Sequence, residues 1–243
     1  MNRLRLSDRE LSRCYCIRTA AGTGTAFLHS NDQGSYFVTA AHLVHGTQAD
    51  DNILFRRQGG WHSVRVREIQ HHSQGYDVAV FSAANFGTTT RLPPRPDATV
   101  FLGEEVKFLG FPHGLGNTYP LEEWIAPLVR TAFFSGVILV EGLEIEVLDG
   151  FNNPGFSGGP VYALQEDGEP SIIALVSGYR TERIGHSRLY RVNADGREEE
   201  VPDLYTKPNS GMINAINVSQ VRAVAAALSV YNRIKDEEVG TTD

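Results

Sequence analysis

The chain has 243 residues, of which 41% are hydrophobic and 21% charged, a balance typical of a globular protein with a sizeable core. No apolar run reaches the roughly 18 residues that a membrane helix requires, and the net charge of −7 disfavours a nucleic-acid-binding protein. The basic residues at the N-terminus are not followed by an apolar segment, so we expect no secretory signal. We therefore expect a cytoplasmic protein that binds neither nucleic acid nor membrane.

Two cysteines, Cys14 and Cys16, stand one residue apart near the N-terminus. We expect them in a strand, with their side chains on opposite faces, where they cannot bridge each other. The chain therefore has no disulfide framework, which agrees with a reducing compartment.

Short runs of β-branched and aromatic residues follow one another along most of the chain, separated by breaks that contain glycine or proline. Helical periodicity is nearly absent from these runs. The pattern predicts many short strands and favours a β-sandwich or β-barrel. Clear examples are residues 36–39, 78–81, 106–109 and 172–177.

The proline-rich segment 91–96 divides these strands into two sets. We assign an N-terminal set to about residues 14–92 and a C-terminal set to about residues 97–216, within a single domain that covers the chain. The polar stretch 181–210 interrupts the second set, and a hairpin is predicted around residues 193–196.

One helix is predicted near the C-terminus, over about residues 218–234. Asn217 and Gln220 form a capping-box pattern at its start. Apolar residues then repeat with helical periodicity. They are Val221, Val224, Ala225, Leu228 and Tyr231.

The strongest chemical signal is the segment 153–160, NPGFSGGP, which places Ser157 among glycines. A nucleophilic serine needs a tight turn that exposes its hydroxyl and directs backbone N–H groups at the developing oxyanion. A glycine-rich surface turn with an incidental serine is the alternative interpretation of this segment.

Two further segments contain the partners that a serine nucleophile requires. His42 follows the strand-like run FVTAA, and Asp77 lies at the start of the run YDVAVF. A neutral imidazole can take the serine proton, and a carboxylate can fix the tautomer of that imidazole. The order of the three residues in the chain is the order of the chymotrypsin triad.

These segments together resemble the chymotrypsin-fold (trypsin-like) serine proteases, and more closely the bacterial Deg/HtrA-type protease domain. The matching motifs are TAAH at His42, DVA at Asp77 and DGFNNPGFSGGP at Ser157. The segments GEEVKFLGFPHGL and GMINAI resemble strands of that family's second barrel. The resemblance covers about residues 20–232, and we expect no PDZ domain after it.

The resemblance implies an all-β fold of two antiparallel six-stranded β-barrels with a C-terminal α-helix. His42, Asp77 and Ser157 would be the catalytic residues, in the cleft between the barrels. The backbone N–H groups of Gly155 and Ser157 would form the oxyanion hole. We therefore expect a serine endopeptidase that cleaves protein or peptide substrates through an acyl-enzyme, with neither a cofactor nor a metal.

The resemblance also implies a set of residues that bind the substrate. Ser177, Gly178 and Tyr179 match the strand that pairs with an extended substrate, and the Ser177 hydroxyl would support Asp77. In the trypsin branch, an aspartate six positions before the nucleophile attracts lysine or arginine. This chain has Phe151 there, followed by Asn152, so we expect small or medium apolar residues before the scissile bond.

Phe156 departs from the pattern of the digestive members, which have an aspartate at this position. That aspartate forms an ion pair with a newly cut N-terminus. Activation by such an ion pair is not expected here. We expect control instead by a regulatory partner protein, by an oligomer contact or by the polar stretch 181–210.

Three alternatives compete with this interpretation. The run GFSGG also fits the nucleophile elbow of α/β-hydrolases, but that fold needs an acid and a histidine after the serine, where only His186 follows. Neighbouring histidines such as His71 and His72 lack the converging ligands of a zinc site. A protease fold without catalysis, acting as a binding or regulatory module, is the alternative function.

Overall fold

The computed structural model describes residues 3–84, 86, 99–121, 123–181, 188–205 and 209–229. The segment 91–96, which was predicted to separate the two strand sets, lies outside these residues. Within them, no helix combines the length and the apolar character needed to cross a membrane.

Strands dominate the described residues, as predicted. Short helices α1 (Asp8–Leu11) and α2 (Val218–Ala225) lie near the two ends, and 3-10 turns occupy Ala41–Val44 and Pro112–Gly114. The strands in chain order are β1 (Cys14–Thr19), β2 (Gly22–Asn31), β3 (Gly34–Thr39), β4 (Asn52–Arg57), β5 (Gly60–His71), β6 (Ala79–Ala83), β7 (Glu105–Gly110), β8 (Asn117–Leu121), β9 (Trp124–Ala126), β10 (Leu128–Val140), β11 (Leu143–Asp149), β12 (Pro160–Leu164), β13 (Pro170–Thr181), β14 (Arg188–Val192), β15 (Glu198–Tyr205) and β16 (Asn209–Asn217).

The first sheet has eight antiparallel strands in the order β1-β2-β3-β6-β5-β4-β9-β8. β1 also pairs with β4, where Ile17 faces Phe55, so that β1 to β6 close into a ring that we call barrel 1. Its interior is filled by aromatic side chains in edge-to-face contact. The Phe37 ring centroid lies 4.6 Å from that of Phe86 and 5.1 Å from that of Phe55.

The second sheet is a closed barrel in the order β10-β11-β16-β13-β12-β7, which we call barrel 2. Its core includes Phe108 and Phe156, whose ring centroids lie 4.9 Å apart. The predicted all-β fold, with two ring-like sheets and a C-terminal helix, is confirmed. The β8–β9 hairpin was not predicted to join barrel 1, which it does where Trp124 pairs with Arg57 of β4.

The two barrels meet at an apolar interface. Cys14 and Cys16 of β1 pack there with Leu109, Phe111 and Tyr162. The expectation that the two cysteines point to opposite faces is wrong, because residues two apart in a strand share a face. Both thiols are free and buried, and burial raises the pKa of Cys16 to about 12.

The C-terminal helix α2 begins at Val218, as predicted, and Asn217 accepts a hydrogen bond from the Ser219 N–H at 2.8 Å. The capping box does not form, because Gln220 accepts a hydrogen bond from His72 instead. The helix ends at Ala225, earlier than the predicted end near residue 234. The Ser229 N–H donates to the Glu68 carboxylate at 2.9 Å, and this tertiary bond replaces a helical one. Residues 230–234 lie outside the described range.

The polar stretch 181–210 contains the hairpin predicted around residues 193–196. β14 and β15 pair with each other as a separate two-stranded sheet. The turn is closed by a hydrogen bond from the Asn193 N–H to the Arg197 carbonyl at 2.8 Å. Residues 182–187 and 206–208 of this stretch are outside the described part of the chain.

One carboxyl group is buried in the wall of barrel 2. Glu146 of β11 is 5% exposed, and its Oε1 accepts a hydrogen bond from Asn217 Nδ2 at 2.6 Å. Its Oε2 is buried and has no hydrogen-bond partner. Burial raises the pKa of Glu146 from 4.5 to about 7, against the opposing effect of the Asn217 hydrogen bond. The folded protein therefore holds a proton that the unfolded chain releases at lower pH.

Glu146 should make the folded state less stable as the pH rises from 4.5 to about 7. The variant Glu146→Gln keeps an acceptor for Asn217 and cannot ionise. We expect its thermal unfolding midpoint to exceed that of the wild type by more at about pH 8 than at about pH 5. The matched control is Glu144→Gln, an exposed position on the same strand. An equal difference at both pH values in Glu146→Gln would contradict this prediction.

Candidate active site

Three segments converge where the barrels face each other. The 3-10 turn Ala41–Val44 after β3 contains His42, the loop between β5 and β6 contains Asp77, and the turn between β11 and β12 contains Ser157. We call residues 153–159 the serine turn. Gly158, at a φ of +83°, brings this turn against barrel 1: an added Cβ would lie 2.1 Å from the Thr25 carbonyl oxygen. The same Cβ would lie 2.9 Å from the Ala40 nitrogen. The serine turn therefore packs against the end of β3, which leads to His42.

His42 and Asp77 make a two-point contact. The His42 backbone N–H donates to Asp77 Oδ1 at 2.9 Å, and the ring Nδ1 lies 2.8 Å from Oδ2. Because an ionised carboxylate only accepts hydrogen bonds, Nδ1 carries the proton and the lone pair of a neutral ring is on Nε2. The hydrogen bond that His42 donates to Asp77 and the charge of that carboxylate raise the pKa of His42 above 6.5, against the effect of burial.

The loop of residues 72–78, the Asp77 loop, is fastened to barrel 2 and to α2. Ser177 of β13 donates its hydroxyl to Asp77 Oδ2 at 2.6 Å, which is the support expected for that residue. The Glu144 N–H of β11 donates to the Tyr76 hydroxyl at 3.2 Å. His72 donates to Gln220 of α2 at 3.0 Å. The carboxylate position therefore depends on elements outside barrel 1.

Backbone geometry fixes the serine turn. Gly155 has a φ of +107°, and a Cβ there would lie 2.3 Å from the Phe111 carbonyl oxygen, so a side chain cannot be accommodated. Phe156 is fully buried in the core of barrel 2 and so fixes the serine turn to that barrel. Ser157 is partly buried. Within the described residues, the N–H groups of Gly155 and Ser157 donate to no protein acceptor.

Thr25 of β2 holds the serine turn to barrel 1 and was not identified from the sequence. Its hydroxyl donates to the Gly155 carbonyl at 2.7 Å and accepts from the Phe111 N–H at 3.2 Å. Its N–H donates to the Ser157 carbonyl at 2.9 Å. The available signal was a hydroxyl residue in the apolar interior of a strand, directly after a glycine in GTGTAFL. That signal indicates a buried polar contact but not its partner.

The residues predicted to bind substrate belong to two segments, the one before Ser157 and the end of β13, which a hydrogen bond joins. Asn152 is buried and donates from Nδ2 to the Gly178 carbonyl at 3.3 Å, whereas its Oδ1 is buried without a partner. Ser177, Gly178 and Tyr179 follow a register shift in β13 and are partly exposed. Phe151 is 53% exposed, and the Arg130 guanidinium lies 6.0 Å from its ring centroid. Asn152 thus joins the segment before Ser157 to β13.

Residues 24–170 match the family described as trypsin-like peptidase domain. The chain belongs to the trypsin-like peptidase family. The matched range includes His42, Asp77 and Ser157 of this trypsin-like peptidase. No sequence among the curated proteins matches the chain.

Solved structures show that the fold is that of HtrA-type proteases. An inactive serine-to-alanine mutant of Rv3671c from M. tuberculosis H37Rv is 18% identical with a TM-score of 0.53, covering 91% of this chain and 90% of that one. The HtrA-type protease AlgW with a tripeptide is 17% identical with a TM-score of 0.56, over 90% of this chain and 60% of that one. The MamO protease domain from Magnetospirillum magneticum is 13% identical with a TM-score of 0.50, over 88% and 96%.

The contact with Asp77 should control the titration of His42. In Asp77→Asn the charge is lost, and burial alone should leave the pKa of His42 below that of the wild type and below 6.5. NMR of the imidazole nitrogens against pH measures this without requiring activity. The control is Asp50→Asn, an exposed carboxylate that pairs with Arg65. An unchanged His42 titration in Asp77→Asn would contradict the assigned contact.

Proposed function

We propose that this trypsin-like peptidase is a serine endopeptidase that hydrolyses protein or peptide substrates through an acyl-enzyme. The observation that carries the proposal is the His42 ring, bonded through Nδ1 to Asp77 at 2.8 Å. Among the described residues, neither His42 Nε2 nor the Ser157 hydroxyl has a hydrogen-bond partner. The structure shows no hydrogen bond between these two groups, and catalytic contacts of this kind are often long before substrate binds and tighten only in the complex.

In the proposed reaction, Ser157 Oγ attacks the carbonyl carbon of the scissile bond while His42 Nε2 takes the hydroxyl proton. His42 then gives this proton to the departing amine, which leaves an ester on Ser157. A water molecule then attacks the ester carbonyl while His42 takes its proton. As the ester bond breaks, His42 returns this proton to Ser157 Oγ, which releases the acid product and the free serine. Asp77 holds the ring and stabilises the imidazolium. This chemistry requires neither a metal nor a cofactor.

The negative charge on the attacked carbonyl oxygen would be stabilised by the N–H groups of Gly155 and Ser157. Two features support this role. Both groups lack a protein acceptor in the described residues, and the Gly155 carbonyl is held by Thr25. That bond fixes the orientation of the adjacent peptide units.

The substrate would bind as an added strand along β13. β12 pairs with β13 only as far as Leu175, so Ser177, Gly178 and Tyr179 lie beyond that pairing. Main-chain hydrogen bonds along such an edge bind an extended peptide without regard to most side chains. This arrangement supports cleavage of protein segments rather than of small esters.

Loss of any triad group should abolish peptide-bond cleavage. We expect Ser157→Ala, His42→Ala and Asp77→Asn to lower kcat by about 10⁴- to 10⁶-fold, as in other serine proteases. The assay is the cleavage of casein, with labelling of Ser157 by a fluorophosphonate. Ser63→Ala, an exposed serine on β5, is the control.

More than about a tenth of wild-type activity in any triad variant would contradict the proposed roles. Under the alternative of a binding module without catalysis, wild type and Ser157→Ala would be equally inactive. The fluorophosphonate label would then also be absent from Ser157.

The residue before the scissile bond should be small or medium and apolar. Phe151 and Asn152 carry no charge, and the Asn152 side chain is bonded to the Gly178 carbonyl. A buried lysine or arginine would lose its hydration without a carboxylate partner. We expect kcat/KM on matched peptides to favour Val, Ala, Leu or Met over Lys and Arg.

The variant Asn152→Asp provides a sharper test, because it adds a carboxylate with almost no change in shape. It should raise the ratio of kcat/KM for Arg over Val by about tenfold or more. Asn153→Asp is the control at the adjacent position. A wild-type preference for Arg over Val of tenfold or more would contradict this account of Asn152.

A further inference from the structure

A cluster of arginine and tryptophan side chains lies at one edge of barrel 1 and contains no candidate active-site residue. Trp61 packs against the apolar interface, and Trp124 packs against the core of barrel 1. The Trp61 ring has Arg18 Cζ at 4.1 Å and Arg56 Cζ at 5.4 Å from its centroid. Arg57 Cζ lies 4.8 Å from the centroid of Trp124. We call these five residues the basic–aromatic cluster. Stacking on indole holds a guanidinium plane in place while its N–H donors remain available at the edges.

A concavity of about 420 Å³ adjoins this cluster. It opens at the β4–β5 hairpin, whose turn is formed by Gln58 and Gly59. Gly59 in this turn and Gly60 at the start of β5 contribute no side chain to the concavity. The lining residues are Arg57, Gln58, Gly59, Gly60, Trp61, His62 and Glu123.

The charges of the cluster are only partly balanced. Arg57 forms an ion pair with Glu123 at 2.8 Å. In the part of the chain that the structure describes, Arg18 and Arg56 have no acidic side chain within ion-pair distance. The Nε atoms of Arg56 and Arg57 are buried without a hydrogen-bond partner. Two unpaired guanidinium groups therefore face one side of a protein whose net charge is −7.

The cluster is close to the candidate active site along the chain. Arg18 is followed by Thr19, whose hydroxyl donates to the Leu43 carbonyl, next to His42. Arg18 Nε also donates to Thr23 at 3.4 Å on the other arm of the β1–β2 hairpin. A polypeptide that lies in the cleft can therefore reach the cluster within a few residues.

We propose that the basic–aromatic cluster binds an acidic segment of the protein substrate, outside the cleft that holds the scissile bond. Aspartate or glutamate side chains would pair with the guanidinium groups of Arg18 and Arg56, and an adjoining residue would enter the concavity. The inference rests on the proposed function, because it names a feature of the substrate. The binding of the acidic segment to the cluster, however, does not depend on catalysis.

The cluster fits an acidic peptide better than it fits a nucleic acid. Guanidinium groups bind carboxylates and phosphates alike. A nucleic acid, however, needs a run of basic residues that follows its backbone. Within the cluster, as far as the structure describes its surroundings, only Arg18 and Arg56 lack an acidic partner, and Glu123 lies nearby. A short segment with two or three carboxylates matches this charge.

Direct binding tests the proposal with the Ser157→Ala protein, so that the probe stays intact. The probe is a fluorescein-labelled peptide that contains four consecutive glutamates, and the matched probe has glutamines instead. The chain has two tryptophans, Trp61 and Trp124, and both belong to the cluster. Intrinsic fluorescence therefore reports on this surface, and anisotropy gives the affinity.

We expect the glutamate peptide alone to bind, and added salt to weaken the binding. Replacing both Arg18 and Arg56 by glutamine should weaken it about tenfold, since each exposed charge pair contributes up to about fivefold. The control Arg65→Gln with Arg67→Gln removes the same charge from exposed positions of β5 and should have little effect. Replacing Arg18 and Arg56 by lysine keeps the charge and should give an intermediate affinity. Each variant is used only if its thermal midpoint matches the wild type.

Three results would overturn the proposal: no binding of the glutamate peptide, an equal loss of affinity in the β5 control, or tighter binding of an oligonucleotide at the same tryptophans. A cleavage assay with the active protein then distinguishes a failure of this proposal from a failure of the proposed function. An acidic extension of a peptide substrate should lower KM in the wild type but not in the Arg18→Gln, Arg56→Gln variant. Binding without any cleavage would contradict the endopeptidase, whereas cleavage without a response to the extension would contradict the acidic-segment site.

Discussion

Thr25 joins the two barrels at the point on which the candidate active site depends. Its N–H and hydroxyl hold the carbonyls of Ser157 and Gly155, and its own carbonyl accepts the hydroxyl of Thr39. Because Thr25 and Thr39 belong to β2 and β3, the strands that hold the serine turn also lead to His42. Leaving one such buried polar group without its partner costs roughly 1–3 kcal/mol. That is a large fraction of the stability of an ordinary domain.

The Asp77 loop also depends on contacts between the barrels, and here barrel 2 positions a group of barrel 1. Asp77 belongs to barrel 1, but Ser177 of barrel 2 donates to its carboxylate, and the preceding Tyr76 accepts from Glu144 of β11. His72 extends the contact to Gln220 of α2. Each barrel therefore positions groups that belong to the other. A small rotation at the apolar interface would displace both His42 and Ser157, so the packing of that interface limits how the candidate site can vary.

Much of the fold and the site was predictable because its signals are local. Alternating apolar runs predict strands, and the glycines around Ser157 are required by backbone contacts that exclude a side chain. Features that rest on distant contacts were not predictable. The Thr25 hydroxyl bonds a residue 130 positions away, and Gln220 binds His72 rather than the helix start. The orientation of Cys14 and Cys16 was predicted wrongly although their strand was predicted correctly, because side chains two residues apart in a strand lie on the same face.

The β8–β9 hairpin has a consequence for how the chain folds. It lies after the first strand of barrel 2 in sequence, yet Trp124 pairs with Arg57 at the end of β4. The end of β4 beyond its pairing with β1 therefore lacks this partner until more than half of the polypeptide has been synthesised. An exposed strand edge is a template for pairing with other chains. Long-range pairing of this kind also slows folding. The two barrels are thus not separable units, and a fragment that ends between them would expose a surface prone to association.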